Sequence, residues 1–167
     1  IHPYDDVEII NGQGTVAKEI YEEINPEIII GTIGGGGLMS GVSSYSKEVN
    51  SKCKIFGAEP NSCPSMKKSI KENKLVQLDV SDNFIDGATV NQVGNLNFKI
   101  CKKNLDNIYD APIGKICGDM LDLYQHEGII VEPAGVIPIS VLDQINNLKN
   151  KNDVCIISGG NNDISRY

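Results

Sequence analysis

The sequence predicts an α/β fold, a three-layer sandwich in which helices cover both faces of a mostly parallel sheet. Short β-branched runs alternate along the chain with segments whose apolar residues recur every three or four positions. Parallel strands are joined by right-handed crossovers, which place the connecting helices on the faces of the sheet. With 167 residues and no internal repeat, the chain has the length of one domain. We therefore expect a single α/β domain over residues 1–167.

The first four predicted elements are a helix followed by a strand–helix–strand unit. Apolar residues recur every four positions between 15 and 24, which predicts a helix that starts at Gly14–Thr15. The β-branched run 27–33 is typical of a strand buried on both faces. A helix with one apolar face is predicted over 38–49, and a second strand over 54–59.

The rest of the chain continues this alternation with shorter elements around one irregular stretch. Leu75 to Gly94 shows no sustained period and is predicted to be loop with short elements. The other predicted elements are, in order, a helix over 65–72, a helix around 96–101, a strand near 108, a helix through Ile116 and Leu123, a strand over 129–131, a helix that carries Leu142, Ile145 and Leu148 with Pro138 in its first turn, and a strand over 154–157.

Composition argues against several kinds of partner. Twenty-two acidic residues against 15 basic ones give a formal charge of −7, which repels nucleic acid and anionic lipid. The five cysteines include no C-x-x-C pair, which indicates reduced core residues rather than a zinc or redox site. The sequence shows neither a signal segment nor an apolar run of about 18 residues. We expect a cytoplasmic protein without nucleic-acid or membrane partners.

The candidate binding site is the glycine run Gly34–Gly37, between the first strand and its helix. Its backbone N–H groups carry no side chains in front of them, and the N-terminus of the next helix adds positive potential, so the loop is suited to a phosphate. A dinucleotide fingerprint fails because Met39 or Ser40 stands where the last glycine belongs. A P-loop fails because Leu38 and not lysine follows the glycines.

A second glycine turn, Ser158–Asn162, follows the last predicted strand. The carboxyl ends of parallel strands lie at one edge of the sheet, where open α/β folds bind their ligands. We therefore expect Ser158 to face whatever the first glycine loop holds.

Six segments in this order carry a resemblance to a known family, and they cover nearly the whole chain. The segments are Gly12–Thr15, Gly34–Leu38, Ala58–Pro60, Asp86–Ala88, Val131–Gly135 and Ser158–Asp163. They resemble the threonine dehydratases that depend on pyridoxal 5′-phosphate (PLP), members of the tryptophan synthase β-like family, also called fold type II. Tetraglycine followed by leucine is similar to this branch rather than to the cysteine synthases, and the sequence looks most like the biosynthetic enzymes of Gram-positive bacteria.

The resemblance implies a cofactor, a reaction and an assembly. The amides of the first glycine loop would bind the phosphate of PLP, and Ser158 would hydrogen-bond the pyridine nitrogen. A hydroxyl partner leaves the ring less protonated than a carboxylate would, which suits β-elimination. Members of the family convert L-threonine to 2-oxobutanoate and ammonia in isoleucine biosynthesis and tend to be homo-oligomers. The implied phosphate-binding residues are Gly34, Gly35, Gly36, Gly37 and Leu38.

The resemblance also implies what this chain lacks. The family's Schiff-base lysine lies in a motif similar to Ser-Phe-Lys-x-Arg-Gly-Ala, and no lysine here has that context. The loop that grips the substrate carboxylate is absent as well. The chain opens at Ile1 without a methionine and stops at Tyr167 shortly after a glycine-asparagine turn. We therefore expect a fragment without catalytic residues, inactive alone, whose lysine segment and small domain lie upstream.

No metal site is expected. Serine racemases and some relatives bind a divalent cation through a glutamate like Glu59 and an aspartate six residues later, where this chain has Ser65. A hard cation prefers several oxygen ligands, so Glu59 is a candidate ligand only, and the alternative is that it caps the next element. His2 and His126 are expected at the surface.

Two alternatives stay open. A serine dehydratase or serine racemase shares these motifs, and the substrate pocket that distinguishes them lies mostly outside this chain. A non-catalytic module that binds a phosphate ligand would lack the lysine by origin. An in-frame Ser-x-Lys motif upstream of Ile1 would favour the enzyme, and a start codon there would favour the module.

Overall fold

A parallel sheet forms the centre of the protein. The structure is a computed structural model that describes residues 2–80, 84–146, 148 and 152–162. The order of the strands within this part of the chain is β3-β2-β1-β4, and all neighbours are parallel. The strands are β1 (Ile28–Thr32), β2 (Lys54–Pro60), β3 (Asn107–Ala111) and β4 (Asp153–Cys155).

Helices cover both faces of this sheet, which confirms the predicted α/β sandwich. Alternate residues of β1 point to opposite faces: Ile29 belongs to the same core as Met39, and Ile30 belongs to the other core with Ile137. None of the described helices is both long and apolar enough to cross a bilayer. The helices are α1 (Val7–Glu23), α2 (Gly37–Val49), α3 (Ser65–Glu72), α4 (Asn95–Asn104), α5 (Ile113–Asp122) and α6 (Pro133–Ser140).

The elements around the first glycine loop agree with the sequence pattern. All residues of β1 are buried, as its β-branched run predicts for a strand between two others. α2 begins at Gly37 and α3 has the predicted bounds. The described parts of 75–94 are irregular, as predicted, but they contain none of the short elements that were also expected there. The loop therefore lies at the carboxyl end of a central strand.

α1 begins at Val7, well before the predicted start. Asp6 has an extended backbone, and its carboxylate accepts a hydrogen bond from the amide of Glu8 at 2.9 Å, so it caps the helix. The prediction that Gly14–Thr15 starts the helix is wrong, because both residues lie inside it.

A close contact between α1 and α2 explains the glycine inside α1. Gly14 packs against Gly41 of α2, and a Cβ atom built on Gly41 would lie 2.3 Å from the carbonyl oxygen of Ile10. Glycine therefore marks a helix crossing here and not a helix boundary. The sequence alone does not distinguish these two uses.

The predicted strand over 129–131 is wrong. The amide of Gly128 donates to the carbonyl of Leu123 and closes a π-helical turn over Leu123–Glu127, and the amide of Ile129 donates to the same carbonyl at 3.2 Å. Ile130 is 65% exposed. Val131, in contrast, is buried in the core, and the run joins no strand of the described sheet.

α6 ends earlier than predicted and contains Pro138 beyond its first turn. Proline cannot donate to the carbonyl of the residue four positions earlier, which is Ala134. The hydroxyl of Thr32 donates to that carbonyl at 2.6 Å instead. The helix ends at Ser140, and the predicted helical residue Leu142 begins a short 3₁₀ turn.

Candidate cofactor site

A cavity of about 500 Å³ lies at the carboxyl end of β1. Its lining includes the first glycine loop, residues 34–37, together with Ser158 of the second glycine turn. Tyr4 and Glu132 also line it. Parallel α/β sheets bind ligands at this edge. The structure therefore brings together the two glycine turns that the sequence singles out.

The first glycine loop presents a row of free backbone donors. Within the described chain, the amides of residues 34–38 have no hydrogen-bond acceptor. The first amides of a helix lack partners inside it, and the dipole of α2 places positive potential at the same point. A row of free N–H groups at a helix N-terminus is suited to binding an anion.

Crowding around the loop explains why it consists of glycines. A Cβ atom on Gly35 would lie 2.3 Å from Cγ of Tyr4. Gly36 has a φ of +96°, and its Cβ would lie 2.8 Å from Cβ of Asn97 and 2.9 Å from Cε of Met66. The sequence pattern predicts bare amides, but it does not predict this packing requirement.

Ser158 contributes an exposed hydroxyl to the cavity. The residue follows β4, and its hydroxyl has no hydrogen-bond partner among the residues that the structure describes. A serine hydroxyl donates one hydrogen bond and accepts two, so it can pair with a ring nitrogen in either role.

Glu132 also lines the cavity, although no role there is expected for it from the sequence. Its amide donates to the carbonyl of Gly159 at 3.1 Å, and a Cβ atom on Gly159 would lie 2.9 Å from its Oε1 atom. The signal was present in the sequence, because Glu132 directly precedes the first turn of α6 at the same sheet edge. It stands in the segment Val131–Gly135, which contributes to the family resemblance.

Comparison with known proteins assigns the family. A family model described as pyridoxal-phosphate dependent enzyme matches residues 1–160. The chain belongs to this family. Its fold and the position of its glycine loop agree with that membership.

The relatives within this PLP-dependent family include several threonine dehydratases. The biosynthetic L-threonine dehydratase of Halalkalibacterium halodurans is 47% identical over 169 residues, which cover 99% of this chain and 41% of the relative. The corresponding protein of Bacillus subtilis is 41% identical, over 99% of this chain and 40% of its own length. The chain therefore spans about two fifths of the length of these relatives.

Solved structures of the PLP-dependent family superimpose closely on the chain. The processed form of threonine deaminase isoform 2 from Solanum lycopersicum has a TM-score of 0.92 at 34% identity, over 99% of this chain and 50% of that one. Maize serine racemase has a TM-score of 0.91 at 29% identity, over 99% of this chain and 54% of that one. Both support the α/β sandwich described above.

The cavity has the groups that the phosphate end of PLP requires. The free amides of residues 34–38 match a dianionic phosphate, and the Ser158 hydroxyl can pair with a pyridine nitrogen. No lysine is among the described residues of the lining. The described lining therefore fits the phosphate and the ring nitrogen but offers no amine for a Schiff base.

Glu59 caps α3. Its side chain is fully buried, and its two carboxylate oxygens accept hydrogen bonds from the amides of Met66 at 2.7 Å and Lys67 at 2.9 Å. Among the described residues, no group of three or more His, Cys, Asp and Glu side chains is placed to hold a metal ion. This geometry favours the capping role over the role of a metal ligand.

Burial gives Glu59 an unusual protonation equilibrium. It raises the pKa of the carboxyl from 4.5 to about 7, although the two amides act in the opposite direction. The pKa of Glu59 is higher in the folded state than in the unfolded state. The protonated carboxyl therefore contributes its full stabilisation below about pH 4.5, and this stabilisation is lost as the pH rises through 7.

The cysteines are free thiols, and Cys53, Cys63 and Cys101 are buried, as the composition predicts. Burial raises the pKa of Cys101 to about 12, which keeps it a protonated core residue. His2 and His126 are exposed, also as predicted.

Proposed function

We propose that residues 1–167 form the PLP-binding part of the large domain of a threonine dehydratase, which converts L-threonine to 2-oxobutanoate and ammonia by β-elimination. One observation carries the proposal: the free amides of residues 34–38 and the hydroxyl of Ser158 belong to the same cavity. The dehydratase relatives described above are 41 and 47% identical, compared with 29% for maize serine racemase, which favours threonine dehydratase over the racemase alternative.

Each group has a defined role in this proposal. The amides of residues 34–38 bind the phosphate and fix the position of the cofactor. The Ser158 hydroxyl holds the ring nitrogen through a neutral hydrogen bond, which leaves the ring less protonated than an aspartate would. The apolar side chains of Val90, Ala134 and Ile156 line the same cavity and exclude water from part of it. PLP, when bound, supplies the electron sink for elimination.

The tether and base of the reaction come from outside this chain in the proposal. A Schiff-base lysine serves both roles in this chemistry, and the described cavity lining contains none. The chain spans about two fifths of its dehydratase relatives, so the remaining polypeptide can supply the lysine and the small domain. We further propose that the whole protein is a cytoplasmic homo-oligomer that acts on a small amino acid, without nucleic-acid or membrane partners.

Calorimetric titration of the 167-residue chain tests the phosphate site. Pyridoxine 5′-phosphate and pyridoxine are the appropriate probes, because neither forms a Schiff base with surface lysines and they differ only in the phosphate. We expect the phosphorylated compound to bind at least about tenfold more tightly, from charge-assisted hydrogen bonds to several amides. Equal affinities would contradict the proposal.

Two further measurements examine Ser158 and the missing lysine. Ser158→Ala should weaken binding of pyridoxine 5′-phosphate about threefold to tenfold, the effect of one neutral hydrogen bond, and leave binding of inorganic phosphate unchanged. Ser51→Ala, at an exposed turn away from the cavity, is the control and should bind like the wild type. The chain should produce no 2-oxobutanoate from threonine and PLP. Measurable product would show that the catalytic amine lies within this chain.

A further inference from the structure

Asn97 is a fully buried polar side chain beside the first glycine loop. Its Nδ2 atom donates to the carbonyl of Gly35 at 3.0 Å and to the carbonyl of Tyr4 at 2.8 Å. Its Oδ1 atom has no hydrogen-bond partner among the described residues. Because both neighbouring groups are carbonyl acceptors, chemistry requires the nitrogen and not the oxygen to face them.

Two donors at the start of α4 hold the carbonyl of Gly35. Besides Asn97 Nδ2, the amide of Gly94 donates to it at 3.1 Å. Gly94 directly precedes α4 and Asn97 lies in its first turn. The Gly35 carbonyl is therefore fixed toward the N-terminus of α4.

Fixing this carbonyl also fixes the next amide. The described chain contains no cis peptide bond, and in a trans peptide the C=O and N–H groups point in opposite directions. The amide of Gly36 shares its peptide with the Gly35 carbonyl, so it points away from α4. This amide is one of the free donors of the cavity loop. The left-handed φ of Gly36 is compatible with this orientation.

Asp5 holds Asn97 in place. Its carboxylate accepts hydrogen bonds from the amides of Asn95 and Leu96, each at 2.9 Å, and so caps α4. A Cβ atom on Gly94 would lie 2.4 Å from Oδ1 of Asp5, so only glycine fits between the cap and the loop. The start of α4, the segment before α1 and the glycine loop therefore form one hydrogen-bonded junction.

We propose that Asn97 is a positioning residue of the phosphate site. It holds the Gly35–Gly36 peptide in the orientation that presents the Gly36 amide to an anion. This inference rests on the proposed function, because it assumes that the loop binds the phosphate of PLP. It assigns a role to a side chain on α4, which does not line the cavity itself.

Variants of Asn97 in the 167-residue chain test this role. Asn97→Ala removes both donors and should weaken binding of pyridoxine 5′-phosphate about tenfold, while binding of pyridoxine stays unchanged. Asn97→Thr keeps a hydroxyl that can donate to one of the two carbonyls, and it should lose less affinity than the alanine variant. Asn104→Ala is the matched control, because its amide donates to Ser43 at the other end of α4.

Amide NMR spectra distinguish positioning from a merely structural role. In the wild type, inorganic phosphate should shift the amide resonances of Gly34 and Gly36 together. In the alanine variant, the Gly36 shift should be reduced and the Gly34 shift retained, at a temperature where the variant is folded. If the alanine variant does not fold, the same comparison is made with Asn97→Thr.

Two outcomes separate this inference from the proposed function. A wild type that binds pyridoxine and its phosphate equally would overturn both. A wild type that prefers the phosphate, together with Asn97 variants of unchanged affinity and an unchanged Gly36 shift, would overturn only the role of Asn97.

Discussion

Gly36→Ala tests whether the first glycine loop depends on the geometry described here. Gly36 has a φ of +96°, and an added Cβ would lie 2.8 Å from Asn97 and 2.9 Å from Met66. The backbone conformation costs a residue with a side chain about 1–3 kcal/mol. Shifting the neighbouring atoms to remove the two close contacts adds a cost of about 1–3 kcal/mol, which is smaller if the Met66 methyl group moves aside. We expect the free energy of unfolding to fall by about 2–6 kcal/mol.

Urea denaturation followed by circular dichroism measures this change. Gly12→Ala is the matched control, because Gly12 is exposed in α1 and its Cβ would meet nothing within 4 Å. That variant should gain about 0.5–1 kcal/mol from helix propensity. Gly36→Ala should also weaken binding of pyridoxine 5′-phosphate at least about tenfold, because the loop must shift. A Gly36→Ala variant with the stability and affinity of the wild type would contradict both the strained backbone and the close packing at this position.

Three further predictions concern stability. Gly41→Ala should destabilise the chain by about 2–4 kcal/mol, because its Cβ would lie 2.3 Å from the Ile10 carbonyl oxygen; an unchanged melting temperature would contradict the close helix contact. The wild type should lose about 3 kcal/mol of stability between pH 4.5 and 8 as Glu59 ionises, and Glu59→Gln should remove this loss in urea denaturation. An unchanged pH dependence in the variant would assign the loss to another group. Asp106→Asn should lower the free energy of unfolding by about 1–3 kcal/mol at pH 7 and by progressively less as the pH falls below 4. Equal losses at pH 7 and below pH 4 would contradict stabilisation by the ionised Asp106 carboxylate.

The sign of the Asp106 prediction follows from its partners. Burial alone would raise the pKa of this carboxyl, but hydrogen bonds from Lys47, Lys54 and the amide of Ile55 lower it overall. A lowered pKa means that the stabilisation is present above the unfolded value and is lost as the pH falls through the folded value. Glu59 and Asp106 therefore affect stability in opposite directions as the pH changes.

The elements that carry the candidate site could be predicted because their patterns are local. A β-branched run between turn residues indicates β1, and the change to helical periodicity after Gly37 indicates α2. The rule that ligands bind at the carboxyl edge then correctly places Ser158 on the same cavity as the glycine loop. None of these inferences needs knowledge of a distant contact.

The features that sequence reasoning missed depend on distant contacts. Pro138 lies inside α6 because Thr32 satisfies the carbonyl that the proline leaves free. Asn97 has no motif of its own, and its role becomes visible only where α4 meets the glycine loop. The run 129–131 is apolar without being a strand: Val131 is buried in the core while Ile129 and Ile130 are exposed, and a short apolar run does not by itself distinguish these cases.

A crystal structure of the 167-residue chain with pyridoxine 5′-phosphate would show directly whether the glycine loop and Ser158 bind the cofactor. We expect the phosphate within hydrogen-bond distance of the amides of residues 34–38 and the ring nitrogen within hydrogen-bond distance of the Ser158 hydroxyl. A phosphate bound elsewhere, or a ring whose nitrogen points away from Ser158, would contradict it.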